Sequence, residues 1–305
     1  MAISRQQLTK ELEPGLNALF GLEYSRYDNQ HAEIYNTESS DRAFEEEVML
    51  SGFAGAPTKQ EGASVVFDQA NEAYTARYTH ETIALAFAIT EEAIEDNLYD
   101  RLAQRYTRAL ARSMSNTKQV KAAQVLNQAQ FTAVTGGDGV PLIANNHPLS
   151  NGGTFSNVLA TAADLNETSL EQSLIDIQGF VDERGLKIAL NGRKMIIPKE
   201  LQFTAERLMK STLRTGTADN DINAINNMGM VPEGYRVNNF LTDTDSYFLL
   251  TDVPNGLKMF VRSPIKTAME GDFDTGNMRF KARERYSFGF SDPRCVFGNG
   301  NLPTS

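Results

Sequence analysis

Apolar residues recur at three- and four-residue steps from Thr90 to about Gln130: Ile94, Leu98, Leu102, Tyr106, Leu110, Met114, Thr117, Val120 and Leu126. That period predicts a single long helix with one buried stripe. Thr90-Glu91-Glu92 supplies a capping hydroxyl and two acids for its first turn, and no Pro or Gly interrupts the run. About 40 residues of helix would extend about 60 Å, so it needs a long surface to lie on. Arg101, Arg105, Arg108, Arg112, Lys118 and Lys121 fall across from the stripe. A strict heptad is not sustained, which argues against a coiled coil.

Upstream the period drops to two. Ile83, Leu85, Phe87 and Ile89 alternate with Thr82, Ala84, Ala86 and Ala88, the pattern of a half-buried strand. Residues 44–89 read as a long β-hairpin, with Val48–Phe53 as one limb and Val65-Val66-Phe67 opening the return through Tyr74, Ala76 and Tyr78. Its tip is Gly55–Gly62, rich in turn formers. A projecting two-stranded ribbon is marginal alone, so it lies on a neighbouring subunit or on its own domain. Residues 1–40 are polar. Ser4 and Gln7 can cap a short helix carrying Leu8 and Leu12, which Pro14-Gly15 should stop. The rest reads as an extended arm needing a partner surface or as a loosely held terminus.

Downstream, Gly136-Gly137-Asp138-Gly139 ends the helical stretch, and a polar loop follows, NNHPLSNGGTFSN at Asn145–Asn157. Thr168-Ser169-Leu170-Glu171 has the form of a capping box. Leu170, Leu174, Ile177 and Val181 then fit a helix that Gly185 should stop. Met195-Ile196-Ile197-Pro198 predicts a buried strand, and a second helix from Lys199 turns Leu201, Ala205, Leu208 and Met209 inward. Arg214–Gly229, with Asn220, Asn223, Asn226 and Asn227, predicts an exposed loop. Strands are expected at Tyr235–Phe240, Tyr247–Leu250, Gly256–Arg262 and Met278–Phe290. Residues 84–90 and 278–290 can pair beneath the long helix, which makes one domain from distant segments. Helices and strands of this order are α+β.

Composition narrows the function. The 305 residues are 41% hydrophobic and 22% charged, ample for a buried core, with net charge −10. That sign is opposite to a nucleic-acid footprint, so tight phosphate binding is not expected. No leader-like segment follows Met1, and no apolar run reaches the ~20 residues a bilayer requires. The single Cys295 excludes an intrachain disulfide and a Cys-based zinc site, as expected of a reducing cytoplasm. His31, His80 and His147 lack ligand-like spacing. There is no GxxxxGK[ST], GxGxxG, HExxH or GxSxG. Glu45-Glu46-Glu47 reads as a solvated charged face, and Asp243-Thr244-Asp245 as a turn. His147 reads as a structural loop residue because no orienting acid or nucleophile is placed locally. No catalytic, cofactor or metal site is expected.

Several stretches, taken in order, resemble one family. Ala88–Asn127 looks like the strand and spine helix of tailed-bacteriophage major capsid proteins of the Hong Kong 97-type coat fold. GVPLIANNHPLSNGGTFSN resembles the connector that follows. Arg184-Gly185, Ile196–Leu201, Asn239–Asp243 and Tyr247–Leu249 are similar to its axial domain, and Phe280–Asp292 to its returning peripheral strand. The resemblance covers roughly residues 40–300. It implies an N-terminal arm at 1–43 and an extended loop at 44–82 crossing a neighbour. It implies a peripheral domain at 83–139 and 256–305, with a spine helix at about 90–130, and an axial domain at 140–255. The implied function is a non-enzymatic head protein that assembles as hexamers and pentamers into an icosahedral shell around double-stranded DNA, held without sequence-specific contacts. Implied contacts between subunits are Pro57, Thr58, Lys59 and Glu61 at the loop tip and Asn220, Asn223 and Asn226 near the local symmetry axis. Implied partners are further copies, a separate scaffolding protein (the arm is short), a portal and decoration proteins; no membrane is involved. The implied place is the virion, assembled in the host cytoplasm. Some members join a loop Lys to a peripheral Asn. Around Lys59, Asn299 and Asn301 the local sequence does not match theirs, and no cross-link is expected. The competing reading is an encapsulin-type shell enclosing cargo enzymes; a soluble hydrolase using His147 or His80 is remote without a nucleophile motif.

Overall fold

The computed structural model describes residues 5–300 apart from 91, 93–98, 133, 215–220 and 273–275. In chain order the elements are α1 (Arg5–Arg26), β1 (Asn36–Ser39), β2 (Phe44–Leu50), β3 (Glu72–Thr79), β4 (Glu81–Ile89), α2 (Tyr99–Asn127), β5 (His147–Pro148) and β6 (Thr154–Phe155). They continue with α3 (Glu167–Gln178), β7 (Gly192–Ile197), α4 (Gln202–Lys210), α5 (Ala224–Met228), β8 (Tyr235–Val237), β9 (Phe248–Thr251), β10 (Leu257–Gly271), β11 (Met278–Phe290) and β12 (Val296–Gly298). Two four-stranded sheets carry the fold: β1-β10-β11-β4, called the peripheral sheet after the domain the resemblance implies, and β12-β9-β7-β8, called the axial sheet likewise, although β12 comes from the 256–305 stretch expected in the peripheral domain.

The expected pairing beneath the long helix is present. β4 runs antiparallel to β11, from Ile89 against Met278 to Glu81 against Tyr286. The buried face of the helix differs from the predicted stripe. Leu110, Met114 and Leu126 face inward, but Tyr106 and Val120 are exposed, and the helix is lined instead by Ala103, Thr107, Ala111, Ala122 and Ala123. Small side chains let the sheet and α1 approach closely, and hydropathy alone under-weights them. The predicted start at Thr90-Glu91-Glu92, with Ile94 and Leu98, falls largely outside the described residues.

The N-terminal helix does not stop at Pro14-Gly15. α1 continues through Pro14 to Arg26, because Leu16, Phe20 and Tyr24, spaced four apart, pack on Ile89, Leu110, Met114 and Phe280. That tertiary burial outweighs the single hydrogen bond a proline removes. β1 then adds to the peripheral sheet as a parallel strand on β10, so the stretch from Leu16 to Ser39 packs on its own chain.

Other boundaries shift for local reasons. Asn166, not Thr168, caps α3: its side chain accepts from the Ser169 N–H, and the Ser169 hydroxyl accepts from the Asn166 N–H. The helix closes at Gly179, and Gly185, at φ +85°, makes a left-handed turn beyond it. Within the expected Arg214–Gly229 loop the short helix α5 forms, ending on left-handed Gly229. β10 reaches Gly271, well past Arg262, because it follows β11 along its length.

Candidate assembly surfaces

The hairpin is shorter than its sequence suggests. Paired residues run from Phe44 against Thr79 to Leu50 against Glu72. Residues 51–71 contain no strand, and Val65, Val66 and Phe67 are exposed, Phe67 to 94%. The tip is made of polar turn formers, and among the described residues no strand pairs with those limbs. Pro57, Thr58, Lys59 and Glu61 are all exposed on this loop. On β2, Phe44, Val48 and Leu50 also face solvent. The loop is anchored at Asp68, which accepts from the Ala54 N–H at 2.7 Å and pairs with Arg184 at 3.2 Å. Those hydrogen bonds hold the Asp68 carboxyl below its ordinary pKa, with Arg184 adding to the effect.

The ribbon root is built from buried polar groups. Glu46 faces out, but Glu45 and Glu47 turn inward, so the triplet is only in part a solvated face. Glu47 pairs with Lys258 and accepts from Ser291, Lys258 also reaches Glu38 at 3.1 Å, and Tyr78 meets Ser291 at 2.5 Å. Burial opposes the charge on Lys258, but Glu47 and Glu38 outweigh it and raise its pKa. His80 lies between the Ser40 hydroxyl at 2.9 Å and the Ser287 hydroxyl at 3.0 Å, and Ser40 donates to Glu45. Burial lowers the His80 pKa, and Arg285 lowers it further. Gly137 allows the connector to meet the ribbon: a Cβ there would stand 2.6 Å from the Thr75 carbonyl oxygen.

The NNHPLSNGGTFSN loop packs behind this root. His147 does have a local acid: its Nδ1 lies 2.6 Å from Asp138, nine residues earlier, and both are buried. The sequence expectation of none is corrected; the intervening chain doubles back between them. The His147 ring stacks on Phe155 at 4.8 Å, and the Arg294 guanidinium covers that phenyl ring at 4.4 Å. Among the described residues, the buried His147 Nε2 has no hydrogen-bond partner. Arg294 binds Glu183 at 2.7 Å, Asp292 at 3.2 Å and the Val181 carbonyl at 2.7 Å. Asn157 donates to the carbonyls of Leu142, Pro293 and Val296. These bonds join the connector around Asn157, the chain at Val181–Glu183 and the segment Asp292–Val296.

The three predicted axial asparagines separate. Asn220 lies outside the described residues. Asn223 is buried and belongs to its own subunit: it caps α5 and donates to the Leu208 and Ser211 carbonyls. Its amide is thus engaged within its own chain. Asn226 is half-buried and donates to Ser211 at 3.0 Å. Leu213 and Ile222, joined by a β-bridge, are exposed, as are Phe203 on α4 and Met228 at the end of α5. No hydrogen bond or ion pair joins the ribbon tip to this axial group among the described residues. Asn299 is buried, with its amide on the Ala163 and Asp245 carbonyls. Among the described residues no cluster of three or more His, Cys, Asp or Glu is placed to hold a metal ion, and no helix is long and apolar enough to cross a membrane.

Residues 73–299 match the model of a family of phage capsid proteins. No curated protein matches the chain. Among solved structures, the chain is similar to the procapsid protein of bacteriophage JBD30, at 15% identity and TM-score 0.52, over 97% of this chain and 75% of that one. It is similar to a virus-like particle from Pyrococcus furiosus, at 9% identity and TM-score 0.50, over 93% and 97%. It is also similar to a Mycobacterium phage Che8 chain, at 15% identity and TM-score 0.50, over 88% and 89%. At such identities the likeness is one of fold, here the α+β Hong Kong 97-type capsid fold.

Proposed function

The chain belongs to the phage capsid protein family, and from that premise we propose that it is a major head protein. Its copies close as hexamers and pentamers into an icosahedral shell around double-stranded DNA, without sequence-specific contacts. One observation carries this reading. Of the exposed large apolar side chains, the longest run lies on the ribbon (Phe44, Val48, Leu50, Phe53, Val65, Val66 and Phe67), and a second group (Phe203, Leu213, Ile222 and Met228) lies on α4, α5 and the segment between them. Apolar patches of that kind mark protein contacts, and two distinct patches on one chain suit heterologous contacts that close by rotation.

In this reading residues 44–82 form the loop that lies across a neighbour, with Pro57, Thr58, Lys59 and Glu61 at its tip. Asn226 and the group Phe203, Leu213, Ile222 and Met228 face the local axis. A separate scaffolding protein, a portal and decoration proteins complete the head, which is built in the host cytoplasm. Electron microscopy of the purified chain, with and without the scaffolding product of its gene neighbourhood, tests this. Closed shells with five- and sixfold clusters, and nuclease-protected DNA in particles from infected cells, are the expected result. Particles holding a packaged enzyme and no DNA would replace this reading with an encapsulin-type compartment. A chain that stays monomeric under every assembly condition would sink both.

A further inference from the structure

Between Asp100 and Asp138 the chain carries no carboxylate side chain. Six of its 29 cations fall there and none of its 39 acids, in a chain whose net charge is −10. Two of the six are spent within the fold, Lys118 on Glu284 and Lys121 on Glu81. Arg105, Arg108 and Arg112 are different. They are spaced three and four apart on α2, so they form one stripe, and all three are exposed. The ion pairs among the described residues include none to them. The stripe points away from the packed side of α2, which Ala103, Thr107, Leu110, Ala111 and Met114 fill. Like charges at these spacings weaken a helix, and no acid among the described residues offsets that cost.

We propose that this stripe holds duplex DNA by its phosphates, without regard to sequence. The inference rests on the shell reading and adds which face of the subunit meets the contents. A guanidinium fork matches phosphate oxygens in shape as well as in charge. The stripe runs along about 10 Å of helix, and duplex DNA presents a charge every ~1.7 Å of its axis. Its surroundings favour nucleic acid over a protein partner. Gln104, Ala109, Ser113 and Asn116 neighbour the arginines and are exposed. The large apolar side chains exposed on the described part of α2 are Tyr106 and Val120, and Tyr106 already packs on Phe87 at 5.7 Å. A protein interface has an apolar centre, whereas DNA interfaces are polar and positively charged. The acidic remainder of the chain repels the duplex elsewhere. Each copy therefore grips weakly and in one place, as the net charge requires, and the strength of the contact comes from repetition over many copies.

Binding of a short DNA duplex to the unassembled full-length chain at low ionic strength tests this. R105Q/R108Q/R112Q should weaken binding by about tenfold or more and reduce the slope of log affinity against log salt by about 3. Its thermal unfolding should match the wild type, because no ion pair is lost. K281Q/R283Q, on the far side of the peripheral sheet, should bind as the wild type does, and two duplexes of unrelated sequence should bind alike. Undiminished binding by the arginine variant would overturn the proposal, and so would an equal loss in K281Q/R283Q. If polyglutamate binds the stripe more tightly than the duplex does, the stripe serves an acidic protein and the proposal fails. Wild-type chains that close into shells yet bind no duplex refute this inference alone. A wild type that never self-associates refutes the shell reading and, with it, the stripe's place against the contents.

Discussion

His80 stands where β3 passes into β4, with a serine hydroxyl on each ring nitrogen. Since Ser40 donates to Glu45, it accepts from His80 Nε2–H, and Nδ1 accepts from Ser287; that tautomer is neutral. The charged groups around it are Arg285 and Arg262, which oppose protonation, and Glu45, which favours it, with burial the largest effect. Its folded pKa therefore lies below the unfolded value of about 6.5. The neutral ring's stabilisation is fully present above that value and is lost as pH falls through the folded pKa. His31, also lowered by burial and then by Lys118, acts with the same sign. Thermal midpoints of the subunit should fall as pH drops below about 6.5, and H80Q should flatten part of that slope; an unchanged slope would refute the role. Arg294 makes the second test at this scale. R294M leaves Glu183 and the buried Asp292 without their cation, which should cost about 3–5 kcal/mol in urea unfolding. R294M/E183Q should regain part of it.

At the scale of elements, α2 is the beam on which α1 and the peripheral sheet are assembled. Ala109 lies on its exposed side, so substitution there probes the backbone with little packing change. Ala109→Pro should cost about 3 kcal/mol or more, and Ala109→Gly about 1 kcal/mol. Denaturant unfolding would check both, and equal small losses would mean that the helix is already interrupted there. The contacts of α1 explain why a proline is tolerated inside it: Phe20 stacks near Tyr24 and Phe280. Tyr24 and Lys118 both reach the buried Glu284. Burial raises the Glu284 pKa, with Lys118 and Tyr24 opposing.

At the scale of the molecule, the ribbon tip is expected to contribute to assembly and little to folding. Residues 55–62 are exposed throughout, whereas each large side chain buried under a neighbour would add about 1.5–3 kcal/mol. Replacing Ala54–Ala63 by a short Gly-Ser turn should leave circular dichroism and subunit unfolding nearly unchanged. Shells should fail to close, or should fall apart on mild heating. Unfolding of the replaced subunit would place the loop in its core, and shells of unchanged thermal stability would remove its role between copies.

Local periodicity alone determined the long helix, the alternating strands β4 and β11 and the strand at Met195–Ile197, because a 3.6- or 2-residue repeat follows from one buried face wherever that face lies. The absence of a nucleophile motif and the ordered family resemblance were also legible residue by residue. Only the tertiary structure decided which helix face is buried, since Ala103, Ala111 and Ala122 carry almost no hydropathy signal and gain their place from close approach. It also carried α1 past Pro14, assigned Asn223 to a cap, and brought Asp138 to His147. The ribbon root joins Glu47 to Lys258 and Ser291, and His80 to Ser287, across some two hundred residues of chain. No local pattern encodes such a pair, because each side chain alone is an ordinary polar residue until the fold removes water from both.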